Sequence, residues 1–306
     1  MAGIFRIGVD LGGSKIEVAV IDAAGNLHRR RRIATPRGDY AGTVRAVAGL
    51  VAAVEEEIGA DAKVGIAIPG TIVAATGLVK NANSTWLNGR SLGRDIEAAL
   101  GRPVRLGNDA NCFALSEAAD GAAAGCEVVF GVILGTGVGG GIAVGGRILV
   151  GPNGIAGEWG HNPLPAPQLD EIPGPPCYCG RSGCIETFLS GPGLAADHCR
   201  HTGQTLEAPR IAAGAAAGND ACRATLERYA DRLGRAFAGV INIVDPDAIV
   251  LGGGLSRLSF LYDEVPRRWG RHVFSDSVVT RLLPPRYGDS SGVRGAAWLW
   301  PPEGGA

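Results

Sequence analysis

Net charge is nearly missing from this 306-residue chain: 29 Lys and Arg face 30 Asp and Glu, for a formal charge of −1. That balance offers no footing to a phosphate backbone or an anionic membrane surface, so neither nucleic acid nor membrane is expected as a partner. Long apolar runs are missing too, since none reaches the roughly 18 residues that a membrane span needs. The opening MAGIFRIGVD lacks the charged segment and long apolar stretch of an export signal, which places the protein in the cytoplasm by default. Cysteine is sparse: there are seven, and only three lie close together. In a reducing compartment that distribution favours metal ligation over disulfides.

What is present is apolar bulk, 46%, and 49 glycines, a composition that fits a globular α/β chain with many tight turns. The length exceeds what one hydrophobic core usually serves, so two domains are expected. FRIGVDLGGSKIEVAVID (5–22) reads as strand, Gly-rich turn and strand, and VFGVILGTGVGGGIAVGG repeats that design. Aligning GVDLGGSKIEVAV with GVILGTGVGGGIAV costs one inserted residue and implies two related domains. LGTGVGG matches a dinucleotide fingerprint, but a strand-like GIAVGGRILV follows where that fold needs a helix. GVDLGGSK misses Walker A because Ser14 stands where the lysine belongs. A hairpin tip whose backbone N–H groups cradle an anion fits both copies better, with Gly keeping the approach to a phosphate clear. A third glycine cluster, LGGG, ends the strand read in DAIVLGGG. Asp10, at the end of the first strand, is either a turn cap or a carboxylate able to hold Mg²⁺.

Other elements follow from periodicity: helices over 43–58, 110–123, 186–201 and 220–243, one in LGRDIEAAL, and a final one in SSGVRGAAWLW. The run Arg29 to Arg32 reads as a solvated strand end. In RLGNDANCF, Asp109 precedes a helix, as an N-cap or as a catalytic carboxylate. CYCGRSGC gathers Cys177, Cys179 and Cys184, three ligands for a soft metal where a closed zinc site needs four.

The paired hairpin loops resemble those of the sugar kinase, heat-shock chaperone and actin superfamily. The string GEWGH followed by CYCGRSGCIE is similar to the signature of its ROK branch, which holds bacterial sugar kinases and repressors. KNANSTWLNG, GEWGHNPLP, PCYCGRSGCIETFLSG and GDSSGVRGAAWLW are closer still to the bacterial fructokinases (mannofructokinases) of that family. The resemblance implies a duplicated two-domain α/β fold of the actin-like ATPase (ribonuclease H-like) type, with the active site in a cleft between domains. The expected division is 1–115 with 290–306, carrying the first phosphate loop and the sugar base, and 116–289, carrying the second loop, the zinc site and the adenosine site.

The implied activity is ATP-dependent phosphorylation of a hexose, D-fructose first, with mannose and glucose as further substrates. Glucokinase or N-acetylglucosamine kinase activity is the alternative within the class. A sugar-responsive repressor is disfavoured, because the first hairpin begins by about Phe5 and leaves no room ahead of it for a helix-turn-helix. By resemblance Asp109 is the general base, and Asn83, Asn108, Glu158, His161 and Glu186 join it around the sugar. Gly12, Gly13, Ser14 and Lys15, then Gly135, Thr136 and Gly137, take the ATP phosphates, Asp10 serves Mg²⁺, and Gly252, Gly253 and Gly254 lie on the adenosine side. His161 completes a set with Cys177, Cys179 and Cys184 suited to structural Zn²⁺, tying the GEWGH loop to the start of the GCIE helix. A homodimer is the family expectation.

Overall fold

Alternation decides which faces of the strands are buried. In β1 (Arg6–Leu11), Ile7, Val9 and Leu11 enter one core, and in β4 (Lys63–Ile68) Val64, Ile66 and Ile68 do the same. Gly8 and Gly65 alternate with them and face the other side. There a Cβ would run into the backbone carbonyls of Val293 and Ala296, in helix α9 (Ser291–Trp298), so glycine lets that helix lie on the sheet. The computed structural model describes residues 5–301.

The first sheet has the order β3-β2-β1-β4-β7, where β2 is Lys15–Ile21, β3 Leu27–Ala34 and β7 Val104–Asn108. The first three strands run antiparallel and the last two parallel to β1. Helices α1 (Tyr40–Ile58) and α2 (Leu92–Leu100) bring Val47, Val51, Val54, Leu92 and Ile96 to one face. Helices α3 (Asp109–Ala119) and α9 bring Cys112, Leu115, Ala296 and Ala297 to the other. Two-residue strands β5 (Thr71–Ile72) and β6 (Val79–Lys80) pair alongside.

The second sheet repeats that plan. Its order is β10-β9-β8-β11-β12, from β8 (Val128–Leu134), β9 (Val138–Val144), β10 (Arg147–Ile148), β11 (Ala248–Gly252) and β12 (Arg281–Leu283). With β8 in the place of β1, a hairpin lies on one side and two parallel strands on the other, which is the duplication of an actin-like ATPase fold. Helices α4 (Ile185–Leu189), α5 (Gly191–Thr202), α6 (Ala208–Ala216), α7 (Asp220–Val244) and α8 (Leu261–Trp269) surround it. The 25-residue α7 buries Leu226, Tyr229, Leu233, Phe237 and Ile241 along one stripe.

The chain forms two compact units, Met1–Glu127 with Gly141–Ala156 and Asp289–Ala306, and Val128–Gly140 with Gly157–Gly288. Among the described residues, no helix is long and apolar enough to cross a membrane.

Local chemistry modifies three expectations. The single helix over 186–201 is two, because Ser190 caps α5 by accepting from the Gly193 N–H at 3.1 Å and Pro192 follows. Helix α6 lies in an Ala-rich stretch with no clear period, and α8 carries Leu261, Val265 and Trp269 four residues apart but has Pro266 inside it, which interrupts the helical signal. The arginine run is not merely solvated: it lies inside edge strand β3, with Arg30 and Arg32 on Glu17 and Arg29 and Arg31 on Glu57. Burial would raise the Glu17 carboxyl, but the two guanidiniums outweigh it and hold it below its usual range.

Candidate active site

In the first unit, the turn between β1 and β2 closes with the Gly12 N–H on the Lys15 carbonyl at 3.0 Å. Thr35 braces it, its hydroxyl on the Gly12 carbonyl at 2.7 Å and its N–H on the Ser14 carbonyl at 3.1 Å. Asp10, next to last in β1, lies within the field of Asp109. Burial first, then the Asp109 and Glu17 charges, push its carboxyl up to about 6, with Lys15 and Arg32 opposing. Two carboxylates this close, one resisting ionisation, are a donor set that fits Mg²⁺.

The helix cap before α3 is Asn108, not Asp109. Asn108 Oδ1 accepts from the Ala110 and Asn111 N–H groups at 2.9 and 3.2 Å, and its Nδ2 donates to the Gly70 carbonyl at 3.1 Å. Asp109 is therefore the first helical residue, oriented by the Ala110 N–H on its Oδ1 at 2.8 Å. The Asn108 amide, read as a sugar ligand, is largely taken up in holding this corner, which leaves one N–H for any other partner. Asn83 is exposed on the loop after β6.

In the second unit, the β8–β9 turn closes with the Gly135 N–H on the Gly137 carbonyl at 3.0 Å, and the Gly191 N–H of α5 donates to the Gly135 carbonyl at 2.7 Å. Thr136 is exposed at the tip. Glu186 reaches this loop, its Oε2 accepting the Val138 N–H at 2.9 Å. Most of the loop glycines serve close packing against the protein itself rather than clearance for a phosphate. A Cβ on Gly137 would lie 2.7 Å from Glu186 Oε2, one on Gly12 2.9 Å from the Lys15 carbonyl and one on Gly13 3.2 Å from Ser84 Oγ, while only Gly135 faces open space. After β11, Gly253 has φ +79° and lies against the Leu134 backbone, so the third glycine cluster, Gly252 to Gly254, is beside the second loop.

The GEWGH segment is stitched to the GCIE segment by backbone. Leu164 N–H donates to Gly183, Ile185 to Asn162 and Glu186 to Gly160, at 2.9, 2.9 and 2.8 Å. Glu158, His161 and Glu186 thus share one neighbourhood, where partial burial first and the Glu186 charge next raise the Glu158 carboxyl, with His161 opposing. The ligand atoms of His161, Cys177, Cys179 and Cys184 all lie within 4.8 Å of one another. His161 Nδ1 is 3.5 Å from Cys177 Sγ, and Cys179 Sγ is 3.6 Å from Cys184 Sγ. Bond lengths near 2.0–2.3 Å in a tetrahedron put ligand atoms about 3.5–3.8 Å apart, so the set fits Zn²⁺. His161 Nε2 is engaged by the Tyr178 hydroxyl at 2.9 Å.

The ROK family profile matches residues 6–303. The chain belongs to the ROK family. This ROK protein is 42% identical, over 95% of its length and 98% of the relative's, to an N-acetyl-D-glucosamine kinase of Escherichia coli O127:H6 (strain E2348/69 / EPEC). It is similar to the ROK hexokinase of Thermus thermophilus, at 30% identity and TM-score 0.86, covering 97% of each chain. It is also similar to a ROK family glucokinase from Streptomyces griseus solved in complex with glucose and AMPPNP, at 29% identity and TM-score 0.76, over 96% of this chain and 98% of that one.

Several supporting residues of this ROK protein carry no sequence signal. Asn88 clamps the loop just before Asn83, its amide accepting from the Ala82 N–H at 2.9 Å and donating to the Ala82 carbonyl at 3.0 Å. Arg235 and Arg232 of α7 hold buried Glu171, at 2.8 and 2.6 Å, and Arg235 also donates to the Ala166 carbonyl, which fixes the stretch between His161 and Cys177. Trp159 stacks on Phe237 with centroids 5.3 Å apart and donates to the Gly139 carbonyl, so it packs in the core. Trp86 rests on the first unit's core and donates to Thr43 Oγ1 at 3.3 Å.

Proposed function

We propose that this ROK protein is an ATP- and Mg²⁺-dependent hexose kinase whose preferred substrate is N-acetyl-D-glucosamine. The observation that carries this reading is the 42% identity to N-acetyl-D-glucosamine kinases along 95% of the chain. It favours the alternative of the motif reading over D-fructose, which becomes the second substrate to test. The motifs that suggested fructose either supply polar residues that serve any hexose or, like SSGVRGAAWLW, form helix α9, so they discriminate weakly.

Asp109 accepts the proton of the attacking sugar hydroxyl. Its place at the N-terminus of α3 supports this role, since the Ala110 N–H on its Oδ1 holds the side chain oriented. Asn108, by capping the helix and holding Gly70, fixes that carboxylate in place. Asn83, Glu158, His161 and Glu186 hydrogen-bond the sugar, and Glu186 at the same time holds the second glycine loop through Val138. Gly12 to Lys15 and Gly135 to Gly137 present N–H groups to the phosphates. Mg²⁺, held near Asp10, supplies charge neutralisation for the triphosphate. A cavity of about 550 Å³ lined by Ala212, Ala216, Leu226, Arg257, Leu258 and Phe260 follows the Gly252–Gly254 turn and supports placing the adenosine there. Zn²⁺ on His161, Cys177, Cys179 and Cys184 is structural: the four protein ligands leave no open position for chemistry.

The test is a coupled ADP-release assay comparing kcat/KM for N-acetyl-D-glucosamine, glucose, mannose and fructose. N-acetyl-D-glucosamine is expected to lead. A lead for fructose overturns the substrate and leaves the kinase reading in place. Asp109→Asn is expected to lose about 10²- to 10⁴-fold in kcat with sugar KM little changed, and near-normal turnover refutes the base assignment.

A further inference from the structure

We infer that Ser84 is a catalytic residue: its hydroxyl donates a hydrogen bond to the phosphoryl group being transferred, completing a pocket of three donors with the Gly13 and Ser14 N–H groups. The inference rests on the sugar-kinase reading of this site. Ser84 is 2% exposed, and its Oγ has no hydrogen-bond partner among the described residues. A buried hydroxyl left unpartnered is costly to a fold. Ser84 is also the N-cap of the one-turn 3₁₀ helix Thr85–Leu87, where a serine ordinarily accepts from the first helical N–H groups, yet its side chain caps nothing. The backbone holds it in that posture. The Leu87 N–H donates to the Ser84 carbonyl at 3.0 Å, Leu87 is buried in the first unit's core, and Asn88 clamps Ala82 on the other side.

The hydroxyl is aimed at the first phosphate loop. Apart from neighbours in the chain, the one atom that a Cβ on Gly13 would meet within 4 Å is Ser84 Oγ, at 3.2 Å, so the hydroxyl faces the exposed loop tip across a bare glycine. The loop's own peptides are set for the same ligand. Residues 35–37 hold three successive carbonyls: Gly12 by the Thr35 hydroxyl at 2.7 Å, Gly13 by the Arg37 Nε–H at 3.0 Å and Ser14 by the Thr35 N–H at 3.1 Å. In a trans peptide the carbonyl of one residue and the N–H of the next point in opposite directions. Holding the Gly12 and Gly13 carbonyls therefore turns the Gly13 and Ser14 N–H groups away from that segment, and neither has a partner among the described residues. Two adjacent free N–H groups beside a free hydroxyl are donors only, which suits a phosphoryl oxygen.

The phosphate they hold is the terminal one, because Asp10, two residues before Gly12, lies in the field of Asp109, the base. As the sugar oxygen bonds to the terminal phosphorus, the bond from that phosphorus to the bridging oxygen breaks, ADP leaves with the electron pair, and the sugar hydroxyl proton passes to Asp109. Ser84 keeps its proton throughout and acts as a donor to the charge on the phosphoryl oxygens. Since Ser84 directly follows Asn83, one short loop addresses both the sugar and the group it receives. Arg37 and Thr35, which touch the loop carbonyls, are positioning residues for the same pocket.

The experiment is Ser84→Ala, which removes only the hydroxyl. Loss of a hydrogen bond to a charged group is expected to lower kcat about 10- to 100-fold. Calorimetric Kd values for N-acetyl-D-glucosamine and for ADP, which lacks the terminal phosphate, are expected to stay within about 2-fold of wild type. Because the hydroxyl has no partner in the unliganded protein, the variant is expected to melt at or above the wild-type temperature, which a structural role for Ser84 forbids. Gly13→Ala sets a methyl against the same hydroxyl, and adding Ser84→Ala to it is expected to cost little further activity. A smaller fall in kcat overturns the inference, as does a sugar or ADP Kd that weakens as much as kcat falls, a lowered melting point, or losses that simply multiply in the double variant. Absence of phosphorylation of any hexose by the wild type would instead sink the kinase reading, so the two failures are distinguishable.

Discussion

Asp10→Asn is expected to make the metal-free protein more stable while abolishing its turnover. An aspartate in an unfolded chain ionises near 3.8, whereas burial, with Asp109 and Glu17 nearby, pushes Asp10 up to about 6 in the fold. An acid whose folded-state value is raised is stabilising to the fold when protonated. Stability contributed at this position is therefore present below about pH 4, is lost as pH rises toward 6, and stays lost above it. At 1.36 kcal/mol for each tenfold step, the ionised Asp10 costs the fold up to about 3 kcal/mol at pH 8. Asparagine matches the shape without the charge. In EDTA and without nucleotide, Asp10→Asn is expected to melt about 5–10 °C above wild type at pH 8, with the two curves converging by pH 4. Adding Mg²⁺ with ATP should raise the melting point of wild type and leave the variant nearly where it was. A variant no more stable than wild type at pH 8, or a gain as large at pH 4, refutes the reasoning.

Two further outcomes test the second unit. Gly253→Ala must hold a side chain at φ +79° and against the Leu134 carbonyl, so it is expected to destabilise by about 2 kcal/mol or more in chemical denaturation and to raise the ATP KM more than the sugar KM. Elemental analysis is expected to find one zinc per chain in wild type and far less in Cys184→Ser. That variant should melt several degrees lower yet keep its far-ultraviolet circular dichroism, since the backbone bonds from Leu164, Ile185 and Glu186 still hold the two segments together. Full zinc in Cys184→Ser, or an unchanged melting point, would remove the metal assignment.

The hairpins were legible because both signals there are local: β-branched residues on each side of a glycine turn. Their recurrence also announced the duplication that the two sheets display in matching order. Helix α5 was blurred into α4 because a serine cap and a proline look like an ordinary polar break until the Gly193 N–H is seen on Ser190. The thiol cluster was legible from spacing, but the hydrogen bond between Tyr178 and His161 was not, since nothing in the spacing says which way a turn aims its corner. Asn88 and the Glu171 pairing with Arg232 and Arg235 were invisible for a different reason. Their partners are backbone atoms or charges distant in the chain, and a lone Asn or Arg reads as a side chain in contact with water.

The placement of α9 sets an order of assembly. That helix supplies Ala296, Ala297 and Trp298 to a core shared with Ala67 and Cys112, and it rests on the bare backbone at Gly8 and Gly65. Ribosomes deliver residues 291–298 only after the whole of 157–288 has emerged. The inserted unit can therefore mature while its host is still waiting for its final layer, and the half of the molecule that starts the chain is the half completed last. Until then, one face of the first sheet has only α3 on it, and a nascent chain stalled before α9 would present the apolar surface left bare to chaperones.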